Sequence, residues 1–399
     1  MRTGASLLIS RDGSSAARHA ADVLGTLRGV AAKVGQMASY VDGVVPEAHR
    51  DAYESAMKSL RAAAPTSSIA DIRATVERDL GAPIERLFAT WEDRPIASAS
   101  IGQVHRATLH DGTEVAVKVQ HHGIVKAIES DLANAGVLES LVGVAGGRRF
   151  NSAGMLAEIR QRFREELNYT LEAERQRAFL ALHAGDSRIE IPRIIDDRSS
   201  RHVLTSTFVR GLNFDEACVA SVEEREAWAT TLWHFVFKGN LVAGMFNADP
   251  HPGNYLFQPD GRVAFLDFGC VQPILPDRLP IARAAHRAAL DNNGTAFRAA
   301  IASLTDAKPG PLEELSHAFV RRCFEPLFSA PFRITRPYAA SLVTGMSEMA
   351  IAARGMKDEH VFTMPAEMLF MNRLQFGFYS VLARFDVQVD YAAIERNFV

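Results

Sequence analysis

The residues with chemistry in them fall into two short runs, Asn247-Ala-Asp249-Pro-His251-Pro-Gly253-Asn254 and Asp267-Phe-Gly269. Asp249 and Asn254 stand five positions apart. Between the runs, Tyr255-Leu-Phe257 and Val263-Ala-Phe-Leu266 read as two short strands, joined by the turn Gln258-Pro-Asp-Gly261. The hairpin carries two carboxylates and one amide to its ends. Such a set suits holding a phosphate-bound, oxygen-preferring metal ion and orienting a nucleophile. A further group is Lys118, in the otherwise apolar run Val115-Ala-Val117-Lys118-Val119. A lysine in such a strand needs a partner or a route to water. It either grips phosphate or lies on an edge strand and snorkels to solvent.

Protein kinases use D-x-x-x-x-N, then D-F-G, with a lysine on an earlier strand reading V-A-I-K. Several elements must position these groups here. Ser100 to Leu109 and Thr113 to Gln120 have strand character, and His110-Asp-Gly112 between them is a hairpin signal. The preceding turn, Ala97-Ser98-Ala99-Ser100-Ile101-Gly102-Gln103, occupies the place of a Gly-rich loop with alanine at two expected glycines. Its backbone amides can still cradle phosphate, but a Cβ makes positive φ costly, so the loop is stiffer.

A long helix is expected from about Gly154 to His183, carrying Glu165, Glu166, Asn168, Glu172 and Glu174. Most of these read as a solvated face. At 100° per residue Glu166 and Glu172 lie about 120° apart on such a helix and serve different partners. Ile191 to Asp196 and His202 to Val209 read as a strand pair, and Arg210-Gly211 as a hinge leaving the sheet. Residues 1 to about 90 read as helical, with segments Ala16–Val41 and Glu47–Ala64. A third helix starts at the capping box Ser68-Ile-Ala-Asp71, runs to Leu80 and stops at Gly81. Lys33-Val-Gly35-Gln36, taken alone, is a solvated pair on a helix. From Val222 to the first chemical run, and beyond Val271, the chain reads as mostly helical. It has no A-P-E motif and no long polar segment after Asp267-Phe-Gly269, which argues against a peptide-docking surface.

The 399 residues are 47% hydrophobic and 23% charged, with a net charge of −3. That balance gives no pull toward nucleic acid. Cys218, Cys270 and Cys323 are odd in number and far apart, which fits a reducing compartment. No apolar run approaches the roughly 20 residues that span a bilayer. A cytoplasmic protein is expected, with peripheral membrane contact left open.

Taken together, these pieces resemble the UbiB/AarF family of atypical kinase-like proteins. The matching stretches, in the family's order, are Lys33-Val-Gly-Gln36, Ala97-Ser-Ala-Ser-Ile-Gly-Gln-Val-His105, Val115-Ala-Val-Lys118, Glu166-Leu-Asn-Tyr-Thr-Leu-Glu172, Ala248-Asp-Pro-His-Pro-Gly-Asn254 and Leu266-Asp-Phe-Gly269. The resemblance implies an α+β, two-lobed protein-kinase-like fold. Residues 1–90 would form a helical extension, 91–210 the N-lobe and 211–399 a mostly helical C-lobe. It also implies Mg-dependent ATP binding, with ATPase activity or small-molecule or lipid phosphoryl transfer supporting ubiquinone or related isoprenoid-lipid biosynthesis. Expected partners are ATP, a quinone-like lipid and a membrane surface, but no nucleic acid; a homodimer is left open.

Carried over by position, the resemblance implies that Lys118 contacts the α- and β-phosphates and pairs with Glu172. The loop of Ala97, Ser98, Ala99, Ser100, Ile101 and Gly102 covers the nucleotide. Lys33 and Gln36 roof the site, with Glu166 as partner of Lys33. Asp249 takes the place of the catalytic base, and Asn254 and Asp267 hold Mg²⁺. The chain departs from the family at Asn168, where an aspartate is usual, and at Asn247, where a histidine is usual. A pseudokinase scaffold and a protein kinase are the alternative functions. A metal hydrolase built on Asp249, His251 and Asp267 is the weakest reading, since no second histidine motif supports it. His251 reads as a loop brace and Cys270 as an inert buried thiol.

Overall fold

The computed structural model describes residues 67–98, 101–133, 161, 164–305, 309–354 and 366–399. The expected segments Ala16–Val41 and Glu47–Ala64, the Lys33–Gln36 motif, Ala99 and Ser100 lie outside the described residues.

Helix α1 (Ile69–Leu80) begins and ends where the sequence signals place it. Ser68 and Asp71 form a reciprocal capping box, and Gly81 closes the helix in the left-handed region at φ 74°. Its buried Ile72 and Val76 pack on an antiparallel sheet of β1 (Thr90–Trp91), β3 (Gly102–Thr108), β4 (Glu114–Gln120) and β6 (Val203–Thr207), with β2 (Ala97–Ser98) paired to β3. Alternation along β4 sends Val115, Val117 and Val119 into the core beneath α1. Lys118 therefore faces the other side. β4 lies between β3 and β6, so Lys118 is on an interior strand, and the edge-strand reading falls.

Helix α2 (Ile124–Ala133) follows. The single long helix expected to reach His183 is broken. Residues 164–166 are helical, Leu167 and Asn168 are not, and a new helix α3 runs over Tyr169–Leu182. Asn168 sits in the β region at φ −123° and ψ 90°, and its side chain accepts the Thr170 N–H. Asparagine is a strong N-cap, so a residue read as part of a continuous helix starts a new one. Glu166 and Glu172 thus lie on separate segments, and the 120° reckoning does not apply.

The strand pair expected at Ile191–Asp196 and His202–Val209 is also revised. Only the isolated bridge Ile194–Ser206 joins those stretches. Pro192 has no N–H to give a ladder. The second stretch is a strand as expected, β6 (Val203–Thr207), but the first strand falls earlier, at β5 (Ile189–Glu190). It pairs in parallel with β9 (Val263–Phe265), which pairs antiparallel with β8 (Tyr255–Phe257). The turn between β8 and β9 holds Asp260 and Gly261 at φ 60° and 72°.

Helix α4 (Val222–Lys238) buries Trp228, Leu232, Trp233 and Phe235, then continues as one π-helical turn, Gly239–Ala243. Strand β7 (Met245–Asn247) pairs antiparallel with β10 (Val271–Pro273). Then come α5 (Leu279–Leu290), α6 (Gly294–Thr305), α7 (Pro311–Cys323), α8 (Arg336–Arg354) and α9 (Ala366–Phe385). One large core joins these elements, and it includes Phe179 of α3 and Phe268. The Phe179 ring lies 5.2 Å from that of Phe268 and 5.3 Å from that of Phe235.

Candidate functional site

The β4 lysine meets helix α3 and the second chemical run at one point. Lys118 Nζ donates to Glu172 Oε1 and Oε2 at 2.7 and 3.0 Å, and to Asp267 Oδ2 at 3.2 Å. Glu172 is 3% exposed and the Lys118 side chain 17%, so the pair sits in a weakly screened setting. Burial by itself would depress the ammonium. The Asp267 and Glu172 carboxylates outweigh it and hold Lys118 well above the usual lysine range. It stays charged at neutral pH.

Beneath the ammonium lies the Tyr169 ring, 5.0 Å from Nζ. Its hydroxyl is fully buried and has no hydrogen-bond partner among the described residues. Burial pushes this phenol up, and the carboxylates of Glu172, Asp267 and Glu166 add to the effect against Lys118. The phenol is therefore a neutral hydroxyl among charged groups. The same hydroxyl explains a glycine. A Cβ at Gly102 would stand 2.4 Å from the Val119 carbonyl oxygen and 2.9 Å from Tyr169 Oη.

Of the alanine-rich loop, Ala97 and Ser98 form exposed β2, while Ile101 buries its side chain against Ile124, Ile128 and Tyr169. Its carbonyl accepts the His121 N–H at 2.9 Å, so the Ile101 side chain and carbonyl are both committed to the fold.

The opposite wall is a set of main-chain and amide contacts. Asn247 Nδ2 donates to the Asp267 carbonyl at 2.6 Å, and its Oδ1 accepts the Asp249 N–H at 3.1 Å. Asn254 Nδ2 donates to the Asp249 carbonyl at 3.1 Å, and the Leu266 N–H donates to the Asn254 carbonyl at 3.0 Å. Asp267 Oδ1 accepts the Gly269 N–H at 2.9 Å, so its two oxygens serve its own loop and Lys118. His251 Nδ1 accepts the Gly253 N–H at 2.9 Å, a brace within the loop. Cys270 is buried in the core beside Phe268.

Among the described residues there is no group of three or more His, Cys, Asp or Glu that could hold a metal by themselves. A carboxylate with an amide oxygen is instead the donor set for Mg²⁺ shared with substrate phosphates, and Asp267 with Asn254 fits it. Asn168 spends its carbonyl oxygen on the α3 N-cap.

Two residues of this region were not singled out from the sequence. Arg175 donates to the Gly269 carbonyl at 2.8 Å and pairs with Glu165. Its signal is a position three after Glu172, on the same helical face. Gly377 of α9 faces the Asp249–Asn254 loop, and a Cβ there would stand 2.6 Å from Pro250 Cγ. Its only signal is a lone glycine inside an apolar helix.

Residues 59–294 match the family described as ABC1 atypical kinase-like domain. The chain belongs to that family. Its relatives include the Arabidopsis thaliana protein Activity of BC1 Complex Kinase 3, chloroplastic, which is 36% identical over 54% of this chain and 31% of the relative. The Caenorhabditis elegans atypical kinase coq-8, mitochondrial, is 32% identical over 61% of this chain and 32% of the relative. The chain spans less than half the length of the curated relatives it matches. A Mycobacterium tuberculosis structure, the complex of Rv3197 with erythromycin, superposes with a TM-score of 0.65 at 27% identity and covers 94% of both chains. The ABC1 chain thus has the α+β, two-lobed kinase-like fold that the resemblance implied.

Proposed function

We propose that this chain binds ATP with Mg²⁺ and turns it over, as an ATPase or as a kinase for a small molecule or lipid of the isoprenoid class. The observation that carries the reading is the Lys118–Glu172 pair engaging Asp267, which Asn247 ties to Asp249. Lys118 is held charged where phosphate oxygens would replace one of its carboxylate partners. Asp249, whose backbone N–H and carbonyl are held by Asn247 and Asn254, would accept a proton from an acceptor hydroxyl or from water. Asn254 and Asp267 would hold Mg²⁺, which neutralises charge on the transferred phosphoryl group when bound. Positioning and charge neutralisation then supply the rate enhancement. The isoprenoid part of the reading rests on the family resemblance. The setting inferred is the cytoplasm, where free Cys218, Cys270 and Cys323 would stay reduced, with lipid met at a membrane surface. Among the described residues no helix is long and apolar enough to cross a membrane.

A second reading is a nucleotide-binding scaffold without turnover. The departures at Asn247 and Asn168 from the usual histidine and aspartate favour it, because they change a group that braces the loop and remove a negative charge. Phosphate release from MgATP by wild type, Asp267→Asn and Lys33→Ala, with and without liposomes, separates the two. Asp267→Asn should abolish turnover; unchanged turnover in that variant would sink the site assignment. MgATP binding with no phosphate release in any condition would select the scaffold.

A further inference from the structure

Gly269 is held at both its N–H and its carbonyl. The N–H donates to Asp267 Oδ1 at 2.9 Å, and the carbonyl accepts from Arg175 Nη1 at 2.8 Å. The residue lies close between two acids: a Cβ on it would stand 3.3 Å from Asp267 Oδ1 and 3.6 Å from Glu172 Oε2. Asp267 gives its other oxygen, Oδ2, to Lys118 at 3.2 Å. The direction of this carboxylate thus depends on the Gly269 backbone, and a guanidinium on α3 holds that backbone.

Arg175 has a second anchor. Its Nη2 pairs with Glu165 Oε2, and Gln161 donates to Glu165 Oε1 at 3.2 Å. The Arg175 and Glu165 side chains are only 14% and 15% exposed, so water screens the pair weakly. On an unbroken helix, residues ten apart are separated by about 15 Å of rise, well beyond the three- or four-residue spacing at which helical side chains meet. The pair forms because the helix breaks at Leu167 and Asn168 and restarts at Tyr169. Arginine suits the place because its planar fork donates along two fixed directions at once, where lysine offers one compact ammonium.

We propose that Arg175 is a positioning residue for the Asp267 carboxylate: braced on Glu165, it holds the Gly269 carbonyl, and Gly269 in turn fixes the acid that would receive a divalent cation. Arg175 acts through Gly269 and not on the metal or the nucleotide. The proposal rests on the ATP and Mg²⁺ reading of the site. Without Arg175 the carboxylate is correctly directed only part of the time, and the apparent metal affinity falls by that fraction. Loss of one hydrogen bond from a charged donor sets the scale at about tenfold.

The test uses the full chain with ADP and Mn²⁺, a paramagnetic stand-in for Mg²⁺, so that no turnover is needed. Electron paramagnetic resonance reads free Mn²⁺, and mass spectrometry reads amide exchange over Leu266–Cys270. Arg175→Met should bind Mn²⁺ with ADP about tenfold more weakly than wild type, while metal-free ADP binds both equally. Its exchange should quicken about tenfold over Leu266–Cys270 and stay unchanged over α1. Arg177→Met, at an exposed site on α3, should match wild type in every reading. Arg175→Lys, which can hold the carbonyl or Glu165 but not both, should fall between, and it replaces Arg175→Met if that variant fails to fold by circular dichroism. Wild-type Mn²⁺ affinity in whichever of these variants folds, an equal loss of metal-free ADP, or unchanged exchange over Leu266–Cys270 would each overturn the proposal. No Mn²⁺ uptake by wild type with ADP would sink the nucleotide reading and this proposal together, whereas uptake indifferent to Arg175 sinks this proposal alone.

Discussion

Asn247 fastens the Asp267 strand end to the Asp249 loop: one side-chain amide donates to the Asp267 carbonyl at 2.6 Å and accepts the Asp249 N–H at 3.1 Å. A residue that departs from the family pattern therefore does structural work at the centre of the site. Leucine in its place leaves a carbonyl and an N–H unpaired, a cost of about 1–3 kcal/mol for each group that is buried. Asn247→Leu should lower MgATP turnover at least about tenfold. Asn247→His keeps one donor and one acceptor and should fall between the two. Steady-state phosphate release checks both; equal rates for leucine and wild type would remove Asn247 from the mechanism.

Gly377 shapes the same loop from the far end of the chain. A Cβ at this position stands 2.6 Å from the Pro250 ring, and a proline ring in a short loop has little room to move. Gly377→Ala should destabilise the protein by about 1–3 kcal/mol, the range for overpacking, and should reduce turnover because Asp249 adjoins Pro250. Pro250→Ala in the same chain should recover part of both. Thermal melts and turnover on the single and double variants decide it; an unperturbed Gly377→Ala would contradict the packing.

Removing one partner of the buried ion pair should be more damaging than removing both. Lys118→Met leaves Glu172 buried and unneutralised and should cost about 3–5 kcal/mol. Lys118→Met with Glu172→Leu should regain much of that stability without regaining MgATP affinity. Urea denaturation read beside nucleotide titration separates fold from binding. Recovery of MgATP affinity in the double variant would show that Lys118 does not hold phosphate.

His183 gives the fold a dependence on pH. Burial lowers its imidazole from 6.5 to about 3, with Lys238 and His234 adding to the effect and Asp186 opposing it. Neither ring nitrogen has a hydrogen-bond partner among the described residues, and the ring stacks on Phe235 at 4.8 Å. The unfolded chain takes up a proton near 6.5 that the folded chain refuses until about 3. Stability from this group is complete above that upper value and falls with decreasing pH, by about 1.4 kcal/mol per unit at most. His183→Phe should flatten the slope of unfolding free energy between pH 6 and pH 4 by about one proton. An unchanged slope in urea melts across that range would disprove the assignment.

Local signals in the sequence were legible because their causes are local. The Ser68 capping box, the Gly81 stop, the Asp111-Gly112 turn and the turn before β9 depend on a few neighbouring residues. The break at Asn168 was hidden because helical residues flank it on both sides, and the capping bond to Thr170 is visible only once the chain leaves the helix. The strand at Ile189–Glu190 was hidden because it is two residues long and its partner is parallel and far along the chain. The site residues were legible as motifs. What held them was not: Tyr169 beneath Lys118, Arg175 on Gly269 and Gly377 against Pro250 are contacts between distant segments.

Helix α3 touches the Asp267-Phe-Gly269 segment more than once: through Glu172 and Lys118, through Arg175 on the Gly269 carbonyl, and through Phe179 against Phe268. The same helix is fastened to the sheet as well, through Tyr169 beneath Lys118 and Ala173 beside Leu204. Mechanically, α3 is a tie bar: it spans from the lysine strand to the Asp267 segment, so a displacement of either one is felt by the other through a single rigid rod.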